Sequence, residues 1–473
     1  MCHNAFTTAK SHAEMFCVGW LCAAGLCVIV ASTSRADAPA ADGSISFASD
    51  VAPILIQRCQ ACHGKDKSEG DYRLDTFAGL SASGASGEAI VVAGSPDESR
   101  LYQLLASDDA SERMPMDGEP IPGEELALVR RWISEGGKYD GPDPQQPLSA
   151  IIPLRTHPAA PQVYPAALPI TALAFSPDGT RLAVSGYYEV TLWSVADGTL
   201  ATRVGNVAER TYDLAFSPDG AVLAVASGIP GELGEVRLYR TADGSVQRDL
   251  VAMADVALGV AFSPAGDRIA TCGADRSIRV FDVASGAEQV LIEEHADWVH
   301  DVAWNADATR LVSASRDGTS KVFDSASGDS LATFSGHGEP VYAAVFSGDS
   351  TKIFSAGADA HIRVWNPADG KQQAEIAGFG ADVLALKISG AYLVSGSADG
   401  TVRQFNVGDH AAVRNLEAPA EHGNIDWVQT IAVHEPGGIV AGGNQDGTVQ
   451  LWRLDDGTPT VGFTASPGIS GAE

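Results

Sequence analysis

From residue 175 onward the chain repeats itself, and this repetition limits the possible folds more than any other feature. Phe175-Ser176-Pro177-Asp178-Gly179 returns as Phe216-Ser217-Pro218-Asp219-Gly220 and as Phe262-Ser263-Pro264-Ala265-Gly266, then more loosely at Trp304, Phe346, Ile388 and Val433. The steps are 41, 46, 42, 42, 42 and 45 residues. Each unit holds an apolar strand, a turn, a small-residue strand such as Leu311-Val312-Ser313-Ala314-Ser315, another turn, and a strand ending in an aromatic. Those aromatics are Trp193, Tyr239, Phe281, Phe323, Trp365, Phe405 and Trp452. Seven units of about 40 residues, each with four short strands, predict an all-β seven-bladed propeller over 169–473. Ring closure has two candidates: Thr460 to Thr464 as the outer strand of the seventh blade, or a strand near Ile151 to Leu154.

At 473 residues the chain holds more than one domain. Eight of its 24 prolines lie between Pro142 and Pro169, which predicts an extended linker over 141–168. Upstream, residues 45–140 form a separate domain, and within it stands Cys59-Gln60-Ala61-Cys62-His63. This is CxxCH, the attachment signal for a c-type haem. Two thiols on one turn can each form a thioether to the haem edge, and the histidine that follows can ligate the iron. A second Cys pair that would complete a zinc site is absent from the sequence. The expected cofactor is therefore one covalently attached haem c, held by Cys59 and Cys62 with His63 as proximal ligand.

The N-terminus agrees with the compartment such attachment needs. Lys10 precedes an apolar run from Phe16 to Ala31, and Ser34-Arg35-Ala36 follows with small residues where a signal peptidase reads. Residues 1–36 are expected to be a cleaved signal peptide, since a run of roughly sixteen is short against the roughly twenty a bilayer span requires. The mature chain is then periplasmic or otherwise extracytoplasmic, with no membrane span. Cys2, Cys17, Cys22 and Cys27 leave with the signal, and Cys272 in Ile-Ala-Thr-Cys-Gly reads as a small core residue. The net charge of −29 repels phosphate backbones and anionic lipid, so nucleic-acid binding is not expected; it suits solubility and could steer a basic redox partner.

Within 45–140, Ser49-Asp50 can cap a helix that tolerates Pro53 in its first turn and runs through Val51, Ile54 and Leu55 to the haem motif. A later helix opens at Pro122-Gly123-Glu124-Glu125, carries an apolar stripe of Leu126, Val129, Trp132 and Ile133, and stops at Gly136-Gly137. Between them, Arg113-Met114-Pro115-Met116 excludes helix and suits a loop that presents a thioether to iron. Met114 or Met116 is the expected sixth ligand.

The segment from Phe47 to Leu55, the haem motif, Arg73-Leu74-Asp75, Val92 to Tyr102, Met114-Pro115 and Arg131-Trp132-Ile133 resemble the planctomycete-type cytochrome c domain. The resemblance implies a small all-α haem carrier and electron transfer as its activity. Its usual Met-Pro-Pro loop maps the distal ligand onto Met114, although here Met116 replaces the second proline, so Met116 remains the alternative. The repeats in turn resemble WD40 units. The turn aspartates Asp275, Asp317, Asp359, Asp399 and Asp446 and the pair Gly336-His337 match that signature, while Trp365-Asn366, Phe281-Asp282 and Phe323-Asp324 stand where Trp-Asp is usual. The resemblance implies that His337, Ser355, Asp359 and Trp365 form an intrablade network, that His295 and His422 are structural, and that the rim docks protein partners.

The propeller shows no HExxH, GxSxG, P-loop or second CxxCH. The favoured reading is an exported single-haem carrier of one electron whose propeller docks it to a redox partner or complex. The alternatives are a haem-based redox or gas sensor on a scaffold, and a propeller oxidoreductase fed by the haem.

Overall fold

The computed structural model describes residues 44–64, 72–82, 87, 89–109, 111–116, 120–253, 255–417 and 427–469. The expected signal segment 1–36 and His422 lie outside these residues. Two compact units result, Met1–Ile152 and Pro153–Glu473.

The first unit is built from short helices. A π-turn, Phe47–Val51, runs into α1 (Ala52–His63); then come α2 (Phe77–Leu80), a 3-10 turn at Pro96–Glu98, α3 (Arg100–Leu105), α4 (Gly123–Ser134) and α5 (Leu148–Ile151). The first cap lies a turn earlier than Ser49-Asp50. Ser46 Oγ accepts the Ser49 N–H at 3.0 Å, and Asp50 Oδ2 accepts the Ser46 N–H at 2.8 Å. This reciprocal pair satisfies two orphan donors at once, which moves the cap to Ser46. Along α4 the apolar stripe faces inward: Val129, Trp132 and Ile133 are buried. Trp132 lies 5.2 Å from the ring of Phe47, and Phe77 meets Phe47 edge-on at 4.8 Å. Leu55, Leu80 and Leu148 complete that core. Gly137 ends α4 at φ +61, its N–H on Trp132 O at 2.9 Å, a left-handed step glycine takes at little cost. Arg58 grips Glu125 with two bonds of 3.1 and 2.9 Å and ties α1 to α4.

The second unit contains, among the described residues, seven four-stranded antiparallel sheets, each in chain order: 173–204, 210–253, 257–292, 299–334, 341–376, 383–416 and 428–464. The innermost strand of each packs on that of the next, and the seventh on the first, which closes a seven-bladed propeller. Second strands such as Arg310–Ser315 are buried almost throughout, while outer strands such as Ser330–Phe334 are mostly exposed. Small residues therefore dominate the second strand, where neighbouring blades press close. Adjacent blades are also stitched by carboxylates: Asp213 accepts the Val260 N–H at 2.9 Å and Asp301 the Ala344 N–H at 3.1 Å. Burial pushes both carboxyls up, Asp213 to about 6.

The outer strand of blade 7 is Pro459–Thr464, paired with Thr448–Arg453. Residues Leu148–Ile151 are instead helical in the first unit, with Leu148 fully buried there. The proline-rich stretch is thus divided. From 153 to 170 it lies as a strap along the propeller. Its carbonyls find donors on long side chains: Arg203 binds Pro161 O and Gln162 O, and Arg237 binds Arg155 O at 3.0 Å. Tyr164 OH donates to Glu189 at 2.6 Å, and Tyr164 N–H to Pro467 O at 3.1 Å, so the strap joins blade 1 to the C-terminal segment. Among the described residues no helix is long and apolar enough to cross a membrane.

Candidate haem site

α1 ends in the haem motif because its N-terminal turns are anchored in the core while its last turn reaches the edge of that core. Phe47, Val51 and Leu55 are fully buried; Cys59, one turn further, is half-buried against the same cluster. The side chain of Cys62 lies outside the described residues. His63 is the last residue of α1. Its Nδ1 stands 3.3 Å from Tyr72 O. A carbonyl only accepts, so the proton resides on Nδ1 and the Nε2 lone pair is left for a metal. Tyr72 is itself fixed. Its ring meets His63 edge-on at 5.8 Å, its hydroxyl donates to Leu80 O at 3.0 Å, and burial pushes that hydroxyl well above the ordinary tyrosine range.

The second arm of the site is the loop after α3. Asp109 Oδ1 accepts from Ser111 N–H at 2.9 Å and Oγ at 2.7 Å, which folds the loop back. Met114 N–H then donates to Leu104 O at 3.0 Å. Met114 is half-buried and packs on the cluster that also holds Cys59, whereas Met116 is 55 % exposed. Beside Met114, the Nε of Arg113 is buried without a hydrogen-bond partner. An imidazole whose Nε2 lone pair is left for a metal, a half-buried thioether on the apolar core that Cys59 also touches, and a guanidinium Nε without an acceptor among the described residues fit a haem: they would supply two iron ligands and a cation for a carboxylate. Sequence reasoning missed Tyr72 and Arg113. A tyrosine nine residues after a histidine carries no signal, and an unpaired arginine shows itself only when its surroundings are known.

In the propeller His337 and His295 are bonded within their blades. Trp365 Nε1 donates to Ser355 Oγ at 3.1 Å, Ser355 pairs with His337 Nε2 at 2.8 Å, and His337 Nδ1 with Asp359 at 3.0 Å. Blade 4 repeats the pattern without the tryptophan: His295 bonds Ser313 at 2.7 Å and Asp317 at 2.8 Å, and Phe323 packs edge-on against the ring. Burial pushes the His295 imidazole down, keeping it neutral. Asp275, Asp317, Asp359, Asp399 and Asp446 each accept the backbone N–H two residues on, at 2.9 to 3.2 Å, and so shape their turns. Cys272 is fully buried, and burial pushes its thiol up.

A unit of short helices that carries CxxCH precedes a closed seven-bladed propeller in the chain. Comparison with known families gives the same arrangement. The planctomycete cytochrome C family matches residues 59–118, and the WD domain, G-beta repeat family matches 162–201, 253–282, 287–324, 328–366 and 370–406. The first match implies haem binding and the second suggests protein–protein interaction. No curated protein matches the chain. Together the two matches support a haem protein with a protein-interaction propeller.

Proposed function

We propose that the chain is an exported carrier of single electrons, with one haem attached through Cys59 and Cys62, His63 as proximal and Met114 as distal ligand, and a propeller that docks it to a redox partner. The observation that carries this reading is the pairing of two features. CxxCH ends α1 with His63 Nδ1 already engaged by Tyr72, and Met114 packs on the core that holds Cys59. A haem ligated by His and Met supplies a one-electron couple that favours the ferrous state relative to two nitrogen ligands. Tyr72 keeps the His63 ring from turning. The core that includes Phe47, Leu55 and Leu80 would hold Cys59 and Met114, which pack on it, in place. Export is supported by the apolar run from Phe16 to Ala31 in a chain whose haem motif requires an attachment machinery.

Docking is supported by the inner strands of the propeller. A bulge recurs between Thr211 and Asp213, Val299 and Asp301, and Val341 and Ala343, which singles out Tyr212, His300 and Tyr342. Bulges re-aim side chains and accompany binding sites. These three are half-buried, and Trp298 and Trp427, which immediately precede inner strands, are 37 % and 53 % exposed. Aromatic residues that remain open to solvent are the type that anchors protein interfaces.

The test is the optical spectrum of the full chain matured in a haem-attaching periplasm, reduced, with and without carbon monoxide. An unchanged low-spin spectrum supports the electron carrier. A shifted one means an open iron position and favours the sensor or oxidoreductase readings. Substituting Trp298 and Trp427 should then abolish partner recruitment and leave the haem spectrum intact; recruitment that survives removes the docking role.

A further inference from the structure

Arg113 stands one residue before Met114, and its backbone is held in place: its N–H donates to Asp109 O at 2.8 Å while Met114 N–H donates to Leu104 O at 3.0 Å. Its side chain is half-buried, with Nε shut off from water and without an acceptor. Among the described residues it joins no ion pair. Other arginines of this unit are matched: Arg58 with Glu125, Arg73 with Asp75 and Arg131 with Glu135. A buried donor left without an acceptor is destabilising, the more so when it is charged. The chain carries 60 acidic side chains against 31 basic ones, so an acidic partner for Arg113 is not scarce; none of the described ones takes the position. What fits a guanidinium that finds no acceptor among the described residues is a planar, anionic group, which the fork of arginine binds in two places.

We propose that Arg113 is a carboxylate-binding residue that receives a propionate of the haem. This rests on the reading that Cys59, Cys62 and His63 carry that group. The positive charge beside Met114 offsets the negative propionate near the iron and so stabilises the reduced, less positive state. Removing it leaves that negative charge uncompensated.

The experiment compares the matured full chain with Arg113→Gln and Arg113→Lys. Haem content is measured first as the pyridine haemochrome. A wild-type chain without haem defeats the haem reading itself; everything after concerns Arg113 alone. Potentiometric titration should show a lower reduction potential in Arg113→Gln. Resonance Raman should show a shifted propionate bending band in both variants, with most of the potential retained in Arg113→Lys, where the charge stays and the fork is lost. A haem-loaded Arg113→Gln with unchanged potential and band overturns the proposal. Should Arg113→Gln fail to hold haem, Arg113→Lys decides by its band: shifted upholds the assignment, unshifted ends it.

Discussion

At the scale of single residues, burial separates candidates that look alike in the chain. Met114 and Met116 flank one proline, yet Met114 packs on the core and Met116 is 55 % exposed. Met114→Ala is therefore expected to open the iron to carbon monoxide, and Met116→Ala to leave the reduced spectrum unchanged; the reverse pattern would reassign the ligand. Asp317 shows the same dependence on surroundings. Burial alone would raise its carboxyl, but bonds from Thr319, His295 and the Ala296 N–H hold it down to about 2. Its folded value lies below the unfolded value of about 3.9, so its stabilisation is present above about pH 4 and fades as pH falls toward 2. Asp317→Ala should cost about 1–3 kcal/mol at neutral pH by urea denaturation, since it strands His295 Nδ1. That gap between variant and wild type should narrow between about pH 4 and pH 2. The CxxCH pattern was legible residue by residue because its members are neighbours in sequence. Tyr72 and Arg113 were not, because what matters about them is which groups surround them.

At the scale of elements, periodicity carried far. The stripe of α4 and the alternation of strand and turn were readable because each reflects one face of one element meeting a core. The first cap was misplaced by one turn, since Ser46 and Asp50 satisfy each other across a π-turn that no helical period announces. Trp132, fully buried between Phe47 and the end of α4, should be indispensable to the first unit; Trp132→Ala is expected to cost about 3–5 kcal/mol, seen as a lower guanidinium midpoint for that unit. Gly357 marks a constraint of the second strand in blade 5. A methyl group there would run into Pro340 O, a backbone atom that cannot step aside. Gly357→Ala should lower propeller stability by about 1–3 kcal/mol, and a thermal midpoint equal to wild type would refute the contact.

At the scale of the whole molecule, closure of the ring is a long-range event. The outer strand of blade 7 comes from Pro459–Thr464, and the strap 153–170 fastens blade 1 to Ser466 and Pro467. A chain ending at Thr458 loses that strand, bares the edge of Thr448–Arg453 and frees the strap. It should elute as aggregates in size-exclusion chromatography, where the full chain does not. Blades 2 and 7 fall outside the matched repeat segments, yet both form complete four-stranded sheets. Their alternating strands and final aromatics, Tyr239 and Trp452, were enough to count them, because a blade needs that pattern more than it needs the signature residues. The sequence by itself determined the haem motif, the number of blades and the helical stripe, all of which depend on neighbours along the chain. Tertiary structure decided which methionine packs on the core, where the proline-rich stretch divides and which strand closes the ring. Those outcomes depend on apolar and hydrogen-bonding surfaces brought together from as many as 300 positions apart, such as Leu168 and Ser466 at a separation of 298. No local pattern encodes them.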